Sequence, residues 1–524
     1  MQWIIPSTAD LLFVAFLGLF VFTALSVRLL GDAGIGWHIR TGQLILADHG
    51  VPRNDPFSSS MAGHLWFAWE WLYDVLVGWL DQAVGLNGVV FFTAGVIALT
   101  FSWTFRLLLH RGTSFVLALI LVLLAASASM IHFFARPHVL SWLFTVTWFY
   151  ILDSSQSSDC DLSDRNRRKT SLLWLLPPLM LLWVNIHGGF LLGFVLLGIY
   201  WVSAVWKYFR IKEDRFEDAL QKIRAGKRSR NLALIGLLGA LATLANPYGW
   251  KLHVHIYHYL SNRFLMDHID EFHSPNFHGV AQKCFAALLM LTLIAFAAKR
   301  RETTELRLNE PLIVLFAVYS GLYASRNIPV SSLLLILVIG PRLSSAELKR
   351  RRTPTGLTPH FFERMQKIEV ALRGHIWPVA LLAFTCWITF HGGKLETKSL
   401  IDAHFDTKRF PSGAVDYFEA HKLRGVVFAP DSWGGYLIYR LYPRIQVAVD
   451  DRHDFYGEEF LKSYLKMMHV EPGWENFLQL CPVQYVLLPK DSALANILAE
   501  TIGWQSIYTD DVAVIFVPVK TATH

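Results

Sequence analysis

Asp32 stands in Gly31-Asp32-Ala33-Gly34-Ile35-Gly36-Trp37-His38-Ile39-Arg40, directly after the first apolar stretch of the chain. A carboxylate placed there can take a proton from an acceptor held beside it. The nearby glycines let backbone approach a ligand closely, and the plainer reading is a solvated loop acid. Glu70, in Trp69-Glu70-Trp71, is either a partly buried acid with a raised pKa or the polar face of an interfacial helix. Arg136, in Ala135-Arg136-Pro137-His138, and Arg326, in Ser325-Arg326-Asn327, fall in very short turns between apolar segments. Guanidinium groups suit bidentate phosphate binding, although a snorkelling anchor would also sit there. Asn185-Ile186-His187-Gly188-Gly189 offers a further Asn and His at a boundary, either as turn structure or as site. Trp37, His38 and His138 join these as candidates.

These residues need a scaffold, and composition says which kind. Hydrophobic residues make up 53% of the chain and charged ones 17%, with positive mean hydropathy. That is a polytopic membrane chain, not a soluble core. About eleven apolar segments run from Leu11 to Phe390, counted against the length a helix needs to cross the hydrocarbon layer. Some, such as Ser171–Val184 and Pro311–Ala324, are short and must extend into their flanks. The basic clusters Arg106/Arg111, Arg165–Lys169, Lys207–Arg230, Lys299–Arg301 and Lys349–Arg352 alternate onto one side, which is therefore cytoplasmic. The candidate residues fall on the other side. The expected location is a cytoplasmic (inner) membrane, with the N-terminus inside. The first apolar segment lacks a basic start and a cleavage pattern, so it reads as a retained span.

Residues 1–391 make up the membrane part, whose first span reads as Leu11–Leu30. A Trp-rich outer loop over 31–85 carries amphipathic helices at Trp37–Ala47 and His64–Leu80, a second outer segment covers 246–280, and a basic linker over Pro341–Arg373, with Pro354, Gly356 and Pro359, precedes the last span. Residues 392–524 read as an extracytoplasmic α/β domain. Strands are expected at 425–429, 445–450, 483–488 and 512–518, alternating with helices at 414–421, 458–469 and 493–501. After the first of these strands comes Pro430-Asp431-Ser432-Trp433-Gly434-Gly435-Tyr436. The second ends in Asp450-Asp451-Arg452-His453-Asp454. Segments after strand C-termini often line a crevice. A helix cap followed by surface charge is the bland alternative.

Other chemistry is weakly signalled. Asp55 and Asn246 read as turn residues beside prolines. His253, His255 and His258 lack acidic or thiolate partners at close spacing, so they read as part of an interfacial helix and no metal ligand is named. Four cysteines give no disulfide framework. The net charge of +7 reflects the inside bias and does not point to nucleic acid. Oligomeric state is not legible.

This layout resembles the GT-C class of membrane glycosyltransferases, and within it most resembles the catalytic subunit of oligosaccharyltransferase. In that family an Asp follows the first span and precedes an aromatic-rich helix with an Arg; here Asp32, Trp37, His38 and Arg40 fall in that order. The family's C-terminal α/β domain carries a Trp-Trp-Asp-Tyr-Gly motif followed by a strand ending in Asp. Asp431-Ser432-Trp433-Gly434-Gly435-Tyr436 and Asp450 look like a degenerate version. The resemblance implies a polyprenyl-phosphate- or pyrophosphate-linked sugar as donor and a protein or glycan as acceptor. Arg136, Arg326 and Arg40 would then contact the donor phosphate. Asp32, Glu70 and His187 would perform the chemistry, and Trp433, Tyr436, Asp431 and Asp450 would bind the acceptor. The family's acid-rich metal-binding loop is replaced here by Ala135-Arg136-Pro137-His138-Val139, which leaves the cofactor unknown and a divalent metal unsupported. Two other classes fit a membrane chain. A transporter of a lipid-linked substrate would carry ionisable groups in mid-span, and few are seen. A non-catalytic scaffold would use its outer domain to bind a partner.

Overall fold

The computed structural model describes residues 4–157, 171–212, 214–297, 307–350, 368–369, 371–372 and 374–519. The basic residues Arg165–Lys169 and Lys299–Arg301, the linker residues Pro354, Gly356 and Pro359, and Cys160 lie outside them.

The chain is mostly helical. Among the described residues, five helical stretches are long and apolar enough to cross a membrane: Leu86–His110, Phe115–His132, Gly188–Arg210, Val280–Ala297 and Ser325–Ser345. Thr8–Phe22, Leu172–Val184 and Ile376–Phe390 are shorter apolar helices. Leu11–Leu30, read from the sequence as one span, breaks at Thr23 and resumes as a short helix, Leu25–Leu29. The first helix begins with a reciprocal cap, in which the Ser7 backbone donates to Asp10 at 2.8 Å and the Asp10 backbone donates to Ser7 Oγ at 3.2 Å. Asp10 also meets His375 at 2.8 Å, which ties the first helix to the start of the last apolar one.

At one end of the bundle the polypeptide builds a cap. Ile35–Asp48 and Trp71–Val84 are helices of the first loop. They cross closely because Gly42 and Gly78 face each other, and a Cβ on either would strike the other helix's backbone. The second loop helix begins at Trp71, later than the expected Trp-rich helix from His64, so Glu70 lies at its start and not on its face.

Residues 394–518 hold a small hairpin and a five-stranded mixed sheet. β1 (Lys394–Leu395) pairs with β2 (Lys398–Ser399). The large sheet has the order β4-β3-β5-β7-β6, with β3 Gly425–Phe428, β4 Ile445–Val447, β5 Tyr485–Pro489, β6 Trp504–Thr509 and β7 Ala513–Pro518. β3 runs parallel to β4 and β5, whereas β7 is antiparallel to β5 and β6. The hairpin and β6 were not expected. β6 exposes much of its length, so it lacks the apolar run that marks the buried strands.

β3 and β4 are parallel neighbours, so the segments that follow them, Pro430–Ser432 and Asp450–Asp454, emerge at the same sheet end. The helix Asp431–Leu441 connects these strands and packs on the first-loop helix Ile35–Asp48. Gly435 abuts the carbonyl of Ala33, and Gly36 abuts the carbonyl of Gly435. Of the Trp-Gly-Gly-Tyr run, Gly435 is therefore spent on contact with the first loop, and Gly434 on the close approach of Val449 and Asp450. One continuous hydrophobic core includes Leu17 and Phe101 of the bundle, Ile39 of the loop, and Leu437 and Ile515 of the C-terminal part. The loops over 31–85 and 246–280 and the sheet thus close over the bundle end where the candidate residues lie.

Candidate functional site

A cavity of about 800 Å³ opens at that end, within the range usual for small-ligand sites. Its lining includes Asp32, Trp37, His38, Glu70, Arg136, His138, His187, Arg326 and Asp431 from the sequence reading.

Arg136 is the hub. The backbone N–H of Ala135 donates to the Leu29 carbonyl at 2.7 Å, which docks this turn against the segment leading into Asp32. Arg136 Nε then donates to Asp32 Oδ2 at 3.1 Å, and Nη2 donates to Asp451 Oδ2 at 2.9 Å. Asp451 also accepts from Trp37 Nε1 at 2.9 Å, and Asp32 accepts from the Gly34 backbone at 2.9 Å. Burial opposes the Arg136 charge, but Asp32 and Asp451 outweigh it and hold the guanidinium firmly protonated. Burial pushes Asp451 up to about 6 against the pull of Arg136.

A chain of neutral groups adjoins the hub. Arg136 Nη1 lies 3.4 Å from His38 Nε2. A guanidinium can only donate, so Nε2 accepts and the ring proton sits on Nδ1, which meets Asp74 Oδ1 at 2.6 Å. His38 and Asp74 are fully buried, and burial keeps the imidazole uncharged and pushes the Asp74 carboxyl up. Glu70 bridges two histidines, with Oε2 3.7 Å from His38 Nε2 and Oε1 3.7 Å from His187 Nε2. The backbone N–H of Gly189, at 3.0 Å, and the Ser141 hydroxyl, at 2.7 Å, both address Nδ1 of His187. The His187 proton therefore sits on Nε2, facing Glu70.

Burial raises Glu70 to about 8, despite the opposing pull of Arg136. Its neutral form is thus the folded form at neutral pH. The folded value lies above the ordinary 4.5, so the stabilisation from a neutral Glu70 is complete below pH 4.5 and is lost as pH rises through about 8. The melting temperature of the wild type, relative to Glu70→Gln, is expected to fall across that window. A difference that stays constant with pH would contradict the assignment.

On the far wall Arg326 pairs with Glu271 at 3.1 Å and lies 4.5 Å from the centre of the Phe272 ring. Burial would raise Glu271, but Arg326 wins and holds it at about 2. The sheet contributes Asp431, which meets His453 Nε2 at 2.7 Å and accepts from the Tyr464 hydroxyl at 3.0 Å. Burial works against the His453 charge, but the hydrogen bond and charge of Asp431 raise its pKa.

Five expected site residues are placed elsewhere. Arg40 donates to the Tyr439 carbonyl and to Gln43, so its guanidinium serves the contact between helices and not a phosphate. Asn185 accepts from Trp71 Nε1 at 2.8 Å and donates to the Leu181 and Ala245 carbonyls, which anchors the loop helix that carries Glu70. Trp433 is buried, with its indole N–H on the Arg409 carbonyl, and Tyr436 is packed against Phe405 and Phe410. Asp450 is fully buried under Arg452, which it holds through two bonds of 2.8 and 2.7 Å. Its neighbour Asp451 reaches the cavity instead. Asp55 is more than a turn residue, since it forms the second buried partner of Arg452, at 2.8 Å. His255 pairs with Asp454 at 3.0 Å.

Sequence reasoning missed Asp74, His132, Glu271, Asp451 and His453 as lining residues. Asp451 and His453 lay within the strand-end run already singled out. Among the described residues, no group of three or more His, Cys, Asp or Glu is arranged to hold a metal ion. The resembled family's metal-binding loop is replaced here, and Asp32 and Asp451 do not fit a divalent metal as they stand, because the Arg136 guanidinium is bonded to both.

No protein-family model matches the sequence, and no curated protein does. Solved structures do match. The Archaeoglobus fulgidus oligosaccharyltransferase in its apo form aligns over 98% of this chain and 74% of its own, at 12% identity and a TM-score of 0.53. The same enzyme tethered to an acceptor peptide with the NVT sequon aligns over 98% and 73%, at 12% identity and 0.56. The chain has the fold of the GT-C membrane glycosyltransferases. The mycobacterial arabinofuranosyltransferase AftD aligns over 97% of this chain and 41% of its own, at 12% identity and a TM-score of 0.47. The apolar helices and the GT-C fold together describe a multi-pass membrane protein.

Proposed function

We propose that this chain transfers a sugar or oligosaccharide from a polyprenyl-phosphate or pyrophosphate carrier to a protein or glycan acceptor. In this reading about eleven spans cross the inner membrane. The N-terminus is cytoplasmic, and residues 392–524 form the extracytoplasmic α/β domain. The observation that carries the reading is the shared cavity, in which two guanidiniums, Arg136 and Arg326, and two carboxyl groups, Asp32 and Glu70, line one space whose wall also includes Leu191, Leu192, Ile256 and Val330. An anion beside an apolar tail fits such a wall.

In the resting arrangement Arg326 is held by Glu271 and Arg136 by Asp32 and Asp451. A donor phosphate competes for these guanidiniums and binds them by charge-assisted hydrogen bonds. As the bond from sugar to phosphate breaks, charge collects on the leaving phosphate oxygens, and both arginines are positioned to stabilise it. Asp32, released from Arg136 by the incoming anion, orients the acceptor and takes its proton. Glu70, neutral at pH 7, and His187, with its proton on Nε2, donate hydrogen bonds to the polar substrate. Asp431 and Asp451 offer acceptor contacts from the C-terminal side. None of these steps runs through a metal ion.

Binding of farnesyl phosphate to the full-length chain in nanodiscs tests the donor side. Arg326→Ala is expected to weaken it by about 10- to 100-fold, the worth of a hydrogen bond to a charged group. Equal affinity for wild type and variant would contradict the phosphate role of Arg326.

A further inference from the structure

Two carboxylates and an imidazole nitrogen converge on the guanidinium of Arg136. Asp32 Oδ2 lies 3.1 Å from Nε, Asp451 Oδ2 2.9 Å from Nη2, and His38 Nε2 3.4 Å from Nη1. Carboxylate oxygens and imidazole nitrogens are the kinds of ligand that divalent cations take, although, as they stand, no three such groups among the described residues are arranged to hold one. Here that set surrounds a side chain of the protein itself. The three donors come from the end of the first span, the first-loop helix and the segment after β4, so the convergence is not a local accident of sequence.

The backbone makes room for this arrangement. A Cβ at Gly34 would overlap both the Arg136 guanidinium and the Asp451 carboxylate. Residue 34 must therefore be bare for the guanidinium to reach between its partners. Trp37 fixes the far side of Asp451 through its indole N–H, and Asp74 fixes His38 through Nδ1. Every donor around the guanidinium is thus itself held by a second group.

We propose that Arg136 is a resident cation, filling from within the chain the place between Asp32 and Asp451 that a divalent ion would otherwise take. A guanidinium keeps its charge across the physiological range and points its N–H groups in fixed directions. In the resting arrangement it satisfies both carboxylates, it is covalently part of the chain, and it repels a second cation from the same space. Lysine does not offer the same geometry, because three separate acceptors are met here by the N–H groups of one planar fork. This inference extends beyond the transferase reading and does not depend on it, since ion binding is read without turnover.

The test is Mn²⁺ binding to the purified full-length chain in nanodiscs, followed by electron paramagnetic resonance. Wild type is expected to bind no stoichiometric Mn²⁺ at this site. Arg136→Ala is expected to take up one Mn²⁺ per chain, and Arg136→Ala/Asp451→Asn to lose it again. Stoichiometric Mn²⁺ on wild type that disappears in Asp32→Asn would overturn the proposal. So would the absence of Mn²⁺ uptake by Arg136→Ala protein that remains monodisperse. If that variant does not fold, Arg136→Gln, which keeps more of the side-chain volume, takes its place and is read by the same criterion.

Discussion

Asp32→Asn is expected to lower transfer by about 10²- to 10⁴-fold, the usual worth of a positioned general base, while the chain stays folded. Asp32 is partly exposed and lines the cavity, and it meets Arg136 at 3.1 Å. Asparagine keeps its size and can still accept from the Gly34 backbone, as Asp32 does at 2.9 Å. What it loses is the negative charge and the ability to take a proton. Arg136 keeps Asp451, so the hub is not left unpaired. Melting temperature should therefore move little while turnover collapses. A loss of activity that follows a loss of folded protein would instead mark Asp32 as structural.

Arg452→Met is expected to have the largest effect on stability, about 3–5 kcal/mol, because it leaves two buried carboxylates without their cation. The Arg452 guanidinium holds Asp450 through two bonds and Asp55 through a third, and all three side chains are almost completely buried. It also lies 4.6 Å from the centre of the Trp66 ring. Asp55 belongs to the first loop and Asp450 follows β4, so this one residue joins the loop to the sheet. Their separation would open the cavity between them. Thermal unfolding of full-length protein, read by fluorescence-detected size exclusion, should show the drop. Arg452→Lys should show a smaller one, since an ammonium retains the charge but not the fork. A Met variant as stable as wild type would show that the other contacts across this seam, among them the Ser59 N–H on the Val447 carbonyl at 2.9 Å, hold it without Arg452.

Much of the architecture was legible because hydrophobic periodicity is a strong local signal. The apolar helix Asn309–Tyr323, the helix Ile35–Asp48 and the strands at Gly425 and Ala513 lay near their expected positions. β6 was not legible, since an exposed strand lacks the apolar pattern that marks a buried one. The start of the helix at Trp71 was also missed, because tryptophans at 66 and 69 continue the aromatic pattern through residues that are not helical.

The site divides along a similar line. Residues just after or between spans, namely Asp32, Glu70, Arg136, His187 and Arg326, could be singled out because charge at a membrane boundary is unusual in itself. Whether a polar side chain at such a place faces a cavity or a neighbouring backbone depends on tertiary contacts. Arg40 and Asn185 show this, since each is committed to carbonyl groups far away in sequence. Asp450 and Asp451 show it most sharply. They are adjacent in the chain and point to opposite fates, one clamped beneath Arg452 and the other bonded to Arg136. Glu271 gave no signal because its partner Arg326 is more than fifty residues away. The glycines of Trp433-Gly434-Gly435-Tyr436 looked like part of a recognition motif, and the close approach of helix Asp431–Leu441 to the first loop at Gly435 and to Val449 and Asp450 at Gly434 gives them a packing reason.

The central claim is that this cavity transfers a lipid-linked sugar, and the most direct measurement is a glycan profile of the cell envelope in a deletion strain. The strain is complemented with wild type or with Asp32→Asn, each confirmed to be expressed and folded. The account predicts a glycoform that is lost on deletion, restored by wild type and not restored by Asp32→Asn. A glycoform restored equally well by both would contradict the role of Asp32, and a profile unchanged by deletion, with no second copy of the gene, would contradict transfer itself.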